Sequence, residues 1–239
     1  MTKQKIIGDV LVELPIIDKV HGTGRLYDFN LIITDPPYNI GWKYSNKVND
    51  NKKDYNSWCL EWAELCFDSL RNDGIFCIIN YPENNNILYA ELIKKGYNFI
   101  QQLIWNYPTN VGHSKRKYTR SYRTILIFSK GKEYTFNPIK QPYKNPTDKR
   151  IKERIIQGYD GTNHYDVFSI NLCKNVSKSK RNNGINQLPN DLIDMLIKTF
   201  SNKGDMILDP FSGNDTVLDR AEALNRDSVG IDINEYKEE

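Results

Sequence analysis

One stretch, Leu31-Ile32-Ile33-Thr34-Asp35-Pro36-Pro37-Tyr38-Asn39, limits what this chain can fold into more than any other. Aliphatic and β-branched residues cluster at 31–34 without helical spacing, which predicts a buried strand. Pro36 and Pro37 have no backbone N–H to donate, so the strand must stop and the chain must turn rigidly. A carboxylate (Asp35) and a phenol ring (Tyr38) are thereby fixed at the carboxyl end of a strand. Open α/β sheets place their ligand sites there. The plainer reading is a strand-ending turn with an incidental tyrosine, and the rest of the chain decides between the two.

The first half alternates strands with helices. Ile6 to Asp9 reads as a strand ending in an acid, followed by a helical turn from Val10 to Leu14 that Pro15 stops. Ile40 to Lys53 is a polar loop carrying Trp42 and Tyr44, long enough for a lid. Asp54 is placed to cap a helix whose stripe is Trp58, Trp62, Leu65, Cys66 and Leu70, with Asn72-Asp73-Gly74 ending it. A strand at Ile75–Asn80 follows, then a helix opened by Pro82 and ended by Gly96, and strands at Phe99–Trp105 and Thr124–Phe128. Alternation argues a mostly parallel α/β sheet, and the close-spaced later strands an antiparallel edge.

Between those strands, residues 110–123 hold His113, Lys115, Arg116, Lys117, Arg120 and Arg123 interleaved with Tyr118 and Tyr122. Such a run is often only a solvated face, but cations with aromatics also make nucleic-acid grooves. From Pro138 the pattern breaks into Pro-, Gly-, Asn- and Lys-rich sequence with a second basic cluster at Lys174–Arg181. The chain therefore divides into 1–137, an irregular insertion over 138–186, and 187–239, where a helical stripe (Leu192, Ile193, Leu196, Ile197, Phe200) and a strand at Met206–Leu208 resume.

Composition excludes more than it identifies. The net charge of +3 is a small difference between 33 basic and 30 acidic residues. Cys59, Cys66, Cys77 and Cys173 form no C-x-x-C pair, and with His21, His113 and His164 no metal-ligand spacing, so no metal is expected. The histidines read as surface residues and Trp105 as sheet core. No apolar run is long enough for a membrane span, and no signal-peptide core follows the first residues. A cytoplasmic protein of a reducing compartment is expected.

A second constellation, Asp209-Pro210-Phe211-Ser212-Gly213-Asn214-Asp215-Thr216-Val217, lies between a strand and a helix. A glycine turn there lets a backbone approach a ligand and aims amide N–H groups at its anionic part. Ser228–Ile231 is another strand, ending in Asp232, an acid about twenty residues on that suits ribose hydroxyls. Alone this pattern is common among α/β proteins.

Asp-Pro-Pro-Tyr followed much later by Asp-Pro-Phe-x-Gly resembles the β-group of DNA amino-methyltransferases, S-adenosylmethionine-dependent enzymes that modify adenine N6 or cytosine N4. Gly8-Asp9 before Leu14-Pro15, Ile104-Trp105-Asn106 before a basic loop, and Leu188-Pro189 before the Leu192-Ile193 helix fit the same family. The resemblance covers most of the chain except the insertion, which in the family carries target recognition. It implies a Rossmann-like sheet of seven strands, parallel but for one near the edge. It implies that Asp9, Asp35, Gln187, Pro189, Asp209, Phe211, Gly213, Asn214, Thr216 and Asp232 contact the cofactor. Asp9 would lie near its adenine, Asp232 at its ribose, and Gln187 to Pro189 beside its methionine carboxylate. Asp35, Pro36, Pro37 and Tyr38 would be catalytic, with Asp35 and the Pro36 carbonyl accepting from the base amine and Tyr38 stacking on a flipped base. His113, Lys115, Arg116, Lys117, Arg120 and Arg123 would contact double-stranded DNA. A homodimer and a cognate restriction endonuclease are compatible partners, in a restriction-modification or phage/host modification setting.

Asp before Pro-Pro-Tyr points to adenine N6, with cytosine N4 the nearest alternative. RNA and protein amide methyltransferases with related tetrapeptides generally place the cofactor motif first, opposite to the order here. Three departures point instead to weak cofactor binding or an impaired DNA-binding relative. Asn214-Asp215 stands where the family has a small residue and a glycine, which predicts crowding or repulsion of the cofactor carboxylate. Leu188 stands where a lysine is common. Glu239 follows soon after Asp232, leaving little chain for a covering helix.

Overall fold

A computed structural model describes residues 2–19, 28–41, 50–108, 115–173 and 187–234. The first half builds β1 (Lys3–Ile7), α1 (Val10–Lys19), β2 (Phe29–Thr34), α2 (Tyr55–Ser69), β3 (Leu70–Asn80), α3 (Pro82–Lys94), β4 (Asn98–Asn106) and β5 (Tyr122–Ser129). The insertion holds β6 (Lys140–Gln141), α4 (Lys149–Ile156), β7 (Thr162–Asn163) and β8 (Val167–Ser169). The chain then forms α5 (Asn190–Phe200), β9 (Met206–Asp209), α6 (Thr216–Ala223) and β10 (Asp227–Asp232).

The main sheet runs β1-β10-β9-β2-β3-β5-β4-β8. Every pairing is parallel except the two made by β5, which therefore runs against all its companions. The expected single antiparallel strand is present, but the strands number eight, not seven. The extra one is β8, three residues from the insertion laid on the outer edge of β4.

Both faces of the sheet are covered, so its central strands read as unbroken apolar runs. Phe76, Ile78, Leu126 and Phe128 face α1, α2 and α3, where Trp62 and Phe67 are fully buried. Ile75, Cys77, Ile79, Ile125 and Ile127 face the opposite layer, with Leu192, Ile193, Leu196 and Ile197 of α5. Each such side chain taken from water contributes about 1.5–3 kcal/mol. Cys59, Cys66 and Cys77 are buried free thiols, and Cys173 is exposed.

Three local expectations are corrected. Pro15 does not stop α1, which continues to Lys19, because burying Val10, Leu14 and Ile17 on one face offsets the lost hydrogen bond. Asn72-Asp73-Gly74 does not end α2, which stops at Ser69. That segment sits inside β3 as an irregularity, between the pairings Phe29–Leu70 and Leu31–Ile75. Gly74 is needed there because a Cβ would lie 3.0 Å from the Phe29 carbonyl oxygen and 2.8 Å from Leu70 Cδ2. Asp54 sits at the start of α2 but caps it only through its carbonyl, which accepts from Trp58 N at 3.0 Å. Pro82 and Gly96 bound α3 as expected.

The insertion has little core: α4 buries none of its side chains. Among the described residues no helix is long and apolar enough to cross a membrane. His21, Trp42, Tyr44, His113, the basic cluster from Lys174 and the last five residues lie outside the described set.

Candidate active site

Strand order alone gathers the acids. Ile32 pairs with Leu208, Gly230 with Asp209, and Ile7 with Asp232. The carboxyl ends of β2, β9, β10 and β1 therefore form a row presenting Asp35, Asp209, Asp232 and Asp9. They open onto a cavity of about 420 Å³, within the range of small-molecule sites. All the residues assigned to catalysis or cofactor from the sequence line it except Pro189. Pro189 instead starts α5, its carbonyl accepting from Leu192 and Ile193 N, and its neighbour Leu188 reaches the cavity.

The glycine turn after β9 is held from three sides. Asp209 Oδ1 accepts from Phe211 N at 3.1 Å. Asp232 Oδ2 accepts from Gly213 N at 2.8 Å, and its Oδ1 from Asn234 N at 2.8 Å. The Phe211 ring meets Trp58 and Trp62 of α2 edge-on, at 5.5 and 5.3 Å between centroids. Gly230 lets the turn lie this close, since a Cβ there would come within 2.7 Å of Ser212 Cβ. Asp215 begins α6 with φ 60° and is absent from the cavity lining. Its carboxylate is 2.7 Å from Lys5 Nζ, which also donates to the Gly213 carbonyl at 2.8 Å. Asp215 therefore does not crowd the cavity, and the lysine on β1 pairs with its charge, although that charge still reaches Asp209 and Asp232.

Burial raises the Asp209 carboxyl well above the usual range; the Phe211 amide opposes this, while Asp35, Asp232 and Asp215 add to it. Burial likewise raises Asp232, against the amides of Asn234 and Gly213 and the charge of Lys5. Such a cluster is costly until a cation arrives. The donor set also fits a nucleoside. Ser212 Oγ and Asn214 Nδ2 are buried on the cavity wall with no hydrogen-bond partner among the described residues.

The turn from Asp35 to Tyr38 is braced from behind. Tyr55 on α2 donates to the Pro37 carbonyl at 2.7 Å, Asn84 on α3 donates to the Tyr38 carbonyl at 3.1 Å, and Asn80 links to both. Asn85 is fully buried and donates to the Thr124 carbonyl and hydroxyl at 3.0 and 2.9 Å, joining α3 to β5. Tyr38 was expected to stack on a base. Here its hydroxyl donates to Asp35 Oδ1, and its ring lies 4.8 Å from that of Tyr81.

The basic segment splits in two. Lys115, Arg116 and Lys117 are exposed, as a DNA-facing wall requires, whereas Arg120 pairs with Glu83 and lies over the Tyr81 ring. Arg123 is a correction: only 3 % exposed, it cannot contact phosphate. It lies behind the motif, Nη1 3.9 Å from Asp35 Oδ2, its guanidinium 4.6 Å from the Tyr38 ring centre. Because β5 begins at Tyr122, Arg123 shares a strand face with Ile125 and Ile127 and points inward with them. Burial raises the Asp35 carboxyl, with the Arg123 charge and the Tyr38 hydroxyl opposing. Sequence reasoning missed this arginine, the Tyr55–Asn80–Asn84 brace, Tyr81 and Lys5. The phase of Arg123 with Ile125 and Ile127 was the one available signal.

Comparison with known proteins agrees with this geometry. Residues 29–239 match the family model described as DNA methylase. The type II methyltransferase M1.MboII of Moraxella bovis is 31% identical, over 91% of this chain and 92% of its own. The DNA adenine methyltransferase YhdJ of Escherichia coli K12 is 29% identical, over 97% and 79%. Among solved structures, the cytosine-N4-specific PvuII DNA methyltransferase superposes with a TM-score of 0.71, covering 99% of this chain and 84% of its own at 18% identity. The M1.HpyAVI–SAM complex gives 0.64, covering 97% and 94% at 17% identity. The two structures share the fold; the family match and the Moraxella relative go further. This chain belongs to the DNA methylase family, the adenine-N6 and cytosine-N4 DNA methyltransferases whose methyl donor is S-adenosylmethionine.

Proposed function

We propose that the protein methylates adenine N6 of a base flipped out of double-stranded DNA, as the modification enzyme of a restriction-modification system. The observation that carries this reading is the adjacency of Asp35 and Asp209 at the ends of neighbouring strands, across one cavity. The cofactor supplies an electrophilic methyl group on a positively charged sulfur. Asp209, Asp232 and Asp9 make the wall around it acidic, which favours that cation over its neutral product. Asp232, held by two amides on the cavity wall, would accept from the ribose hydroxyls, while Ser212 and Asn214 would offer their unpaired polar atoms.

On the other side, Asp35 and the Pro36 carbonyl accept the two N–H groups of the base amine. This draws the nitrogen toward tetrahedral geometry and aims its lone pair at the methyl carbon. The nitrogen would gain that carbon as the carbon–sulfur bond breaks and its electron pair stays on sulfur, and the proton that the nitrogen sheds has Asp35 as the nearest base, its basicity raised by burial. For the base to enter, the Tyr38 hydroxyl must leave Asp35, which frees its ring to stack. Lys115, Arg116 and Lys117, with the insertion over 138–186, supply the DNA-facing surface.

An acid before Pro-Pro-Tyr favours adenine, and the name of the Escherichia coli relative points the same way. Cytosine N4 is the second reading, because the same two acceptors serve either amine. Mixed-sequence DNA treated with the protein and tritiated S-adenosylmethionine, then digested to nucleosides, separates them. N6-methyladenine is expected and only N4-methylcytosine refutes it, while Asp35→Ala should abolish transfer with cofactor binding retained.

A further inference from the structure

Arg123 is buried where a cation is costly, and among the described residues it has no hydrogen bond to a backbone oxygen or a carboxylate. Four rings surround its guanidinium: Tyr38 at 4.6 Å, Trp105 at 5.2 Å, Tyr81 at 5.6 Å and Tyr107 at 5.9 Å. Its Nε has no hydrogen-bond partner among the described residues. The nearest acid is Asp35, at 3.9 Å, which is beyond direct hydrogen bonding. That separation has a chemical use. A bidentate pair would consume the carboxylate oxygens, whereas a cation at this range acts through its field and occupies neither of them, Oδ1 being held only by the Tyr38 hydroxyl.

We propose that Arg123 is a positioning residue for methyl transfer, acting through Asp35 to keep that carboxylate charged and through Tyr38 to hold its ring at the edge of the base pocket. The inference rests on the proposed reaction and assigns to it a residue that never touches DNA. The groups facing Asp35 are few. They are the Tyr38 hydroxyl from its own turn, Asp209 from β9, Arg123 from β5, and beyond the arginine the phenols of Tyr81 and Tyr107. Of these only Arg123 carries positive charge, and burial opposes it. Without the arginine, burial favours the protonated acid, whose hydroxyl oxygen is a poor acceptor for the amine.

Arg123→Gln and Arg123→Lys test this. Against wild type, Arg123→Gln should move the acid limb of the kcat profile up by about one pH unit or more, so that kcat falls about tenfold at pH values below the wild-type limb and recovers on the alkaline side. Arg123→Lys, which keeps the charge, should restore the position of the limb. DNA affinity and its salt slope should not change, since the side chain is buried; loss of about one unit of slope would make Arg123 a phosphate contact and overturn the proposal. Carbon-13 carboxyl NMR, with the Asp35 signal assigned through Asp35→Asn, reads the same midpoint without turnover. An unmoved Asp35 midpoint in Arg123→Gln refutes the positioning role even if activity falls. If wild type transfers no methyl group to DNA, the proposed reaction fails while the NMR titration still decides the role of Arg123. Should Arg123→Gln not fold, a limb or midpoint shifted by a unit in Arg123→Lys also counts against it.

Discussion

Lys5 Nζ lies 2.7 Å from Asp215 Oδ1, joining the first strand of the sheet to the turn that closes the cofactor wall. Both side chains are about four-fifths covered, so the pair is only partly screened. A double-mutant cycle on Lys5→Met and Asp215→Asn should give a coupling of about 1 kcal/mol in urea unfolding. Lys5→Met should cost more than Asp215→Asn, because it also removes the donor to the Gly213 carbonyl. Additive single effects would mean that the turn does not depend on the pair.

Asp209 trades stability for its site. Its native carboxyl is raised above the unfolded value of about 3.9, so the stability it contributes is fully present below about pH 4 and is lost as pH rises through the native value. Asp209→Asn keeps the acceptor for Phe211 N and removes the charge. It should unfold about 2–6 °C higher at pH 7.5 in the absence of cofactor, and the advantage should vanish near pH 4. Calorimetry across that range measures it. The same variant should bind S-adenosylmethionine at least about tenfold more weakly by titration calorimetry.

Asn85→Ala should be among the more damaging polar substitutions. It leaves the Thr124 carbonyl and hydroxyl in a dry core without their donor. The expected loss is about 2–3 kcal/mol, read as a lower urea midpoint with an unchanged slope. A loss below about 0.5 kcal/mol would show that water replaces the amide.

Replacing Lys115 and Lys117 by Gln should weaken DNA binding alike on all sequences and lower the salt slope by about two. Cofactor affinity should stay as it was, because neither side chain lines the cavity. Filter binding at several salt concentrations tests this, and an unchanged slope would remove these lysines from the interface.

What could be read from the sequence was whatever depends on local pattern. The strand before Asp35, the helix opened by Pro82 and the stripe of α5 follow from periodicity and turn chemistry, which act over a few residues. The cavity wall around Gly213 was legible for the same reason, as a strand, a glycine turn and a helix in immediate succession. What escaped depends on partners distant in the chain. Asp215 looked like an intruder because Lys5 is brought beside it only by β1 pairing with β10. Arg123 looked like part of a surface run because its burial depends on β5 beginning two residues earlier than its apolar core suggests. The eighth strand was missed because β8 has three residues and no alternation to announce it.

Neighbouring strands, not neighbouring segments, hold the two halves of the site together: Asp35 follows the end of β2 and Asp209 ends β9, and the two strands pair. Contact made this way is indifferent to which half the ribosome makes first. A circular permutant cut between β8 and α5, with a crossover linker of about a dozen residues or more joining β10 to its parallel neighbour β1, would keep every pairing of the sheet and present the Asp209 turn before the Asp35 turn. The order of the two turns along the chain would be reversed in that permutant, and the pairing of β2 with β9 that brings them together would not.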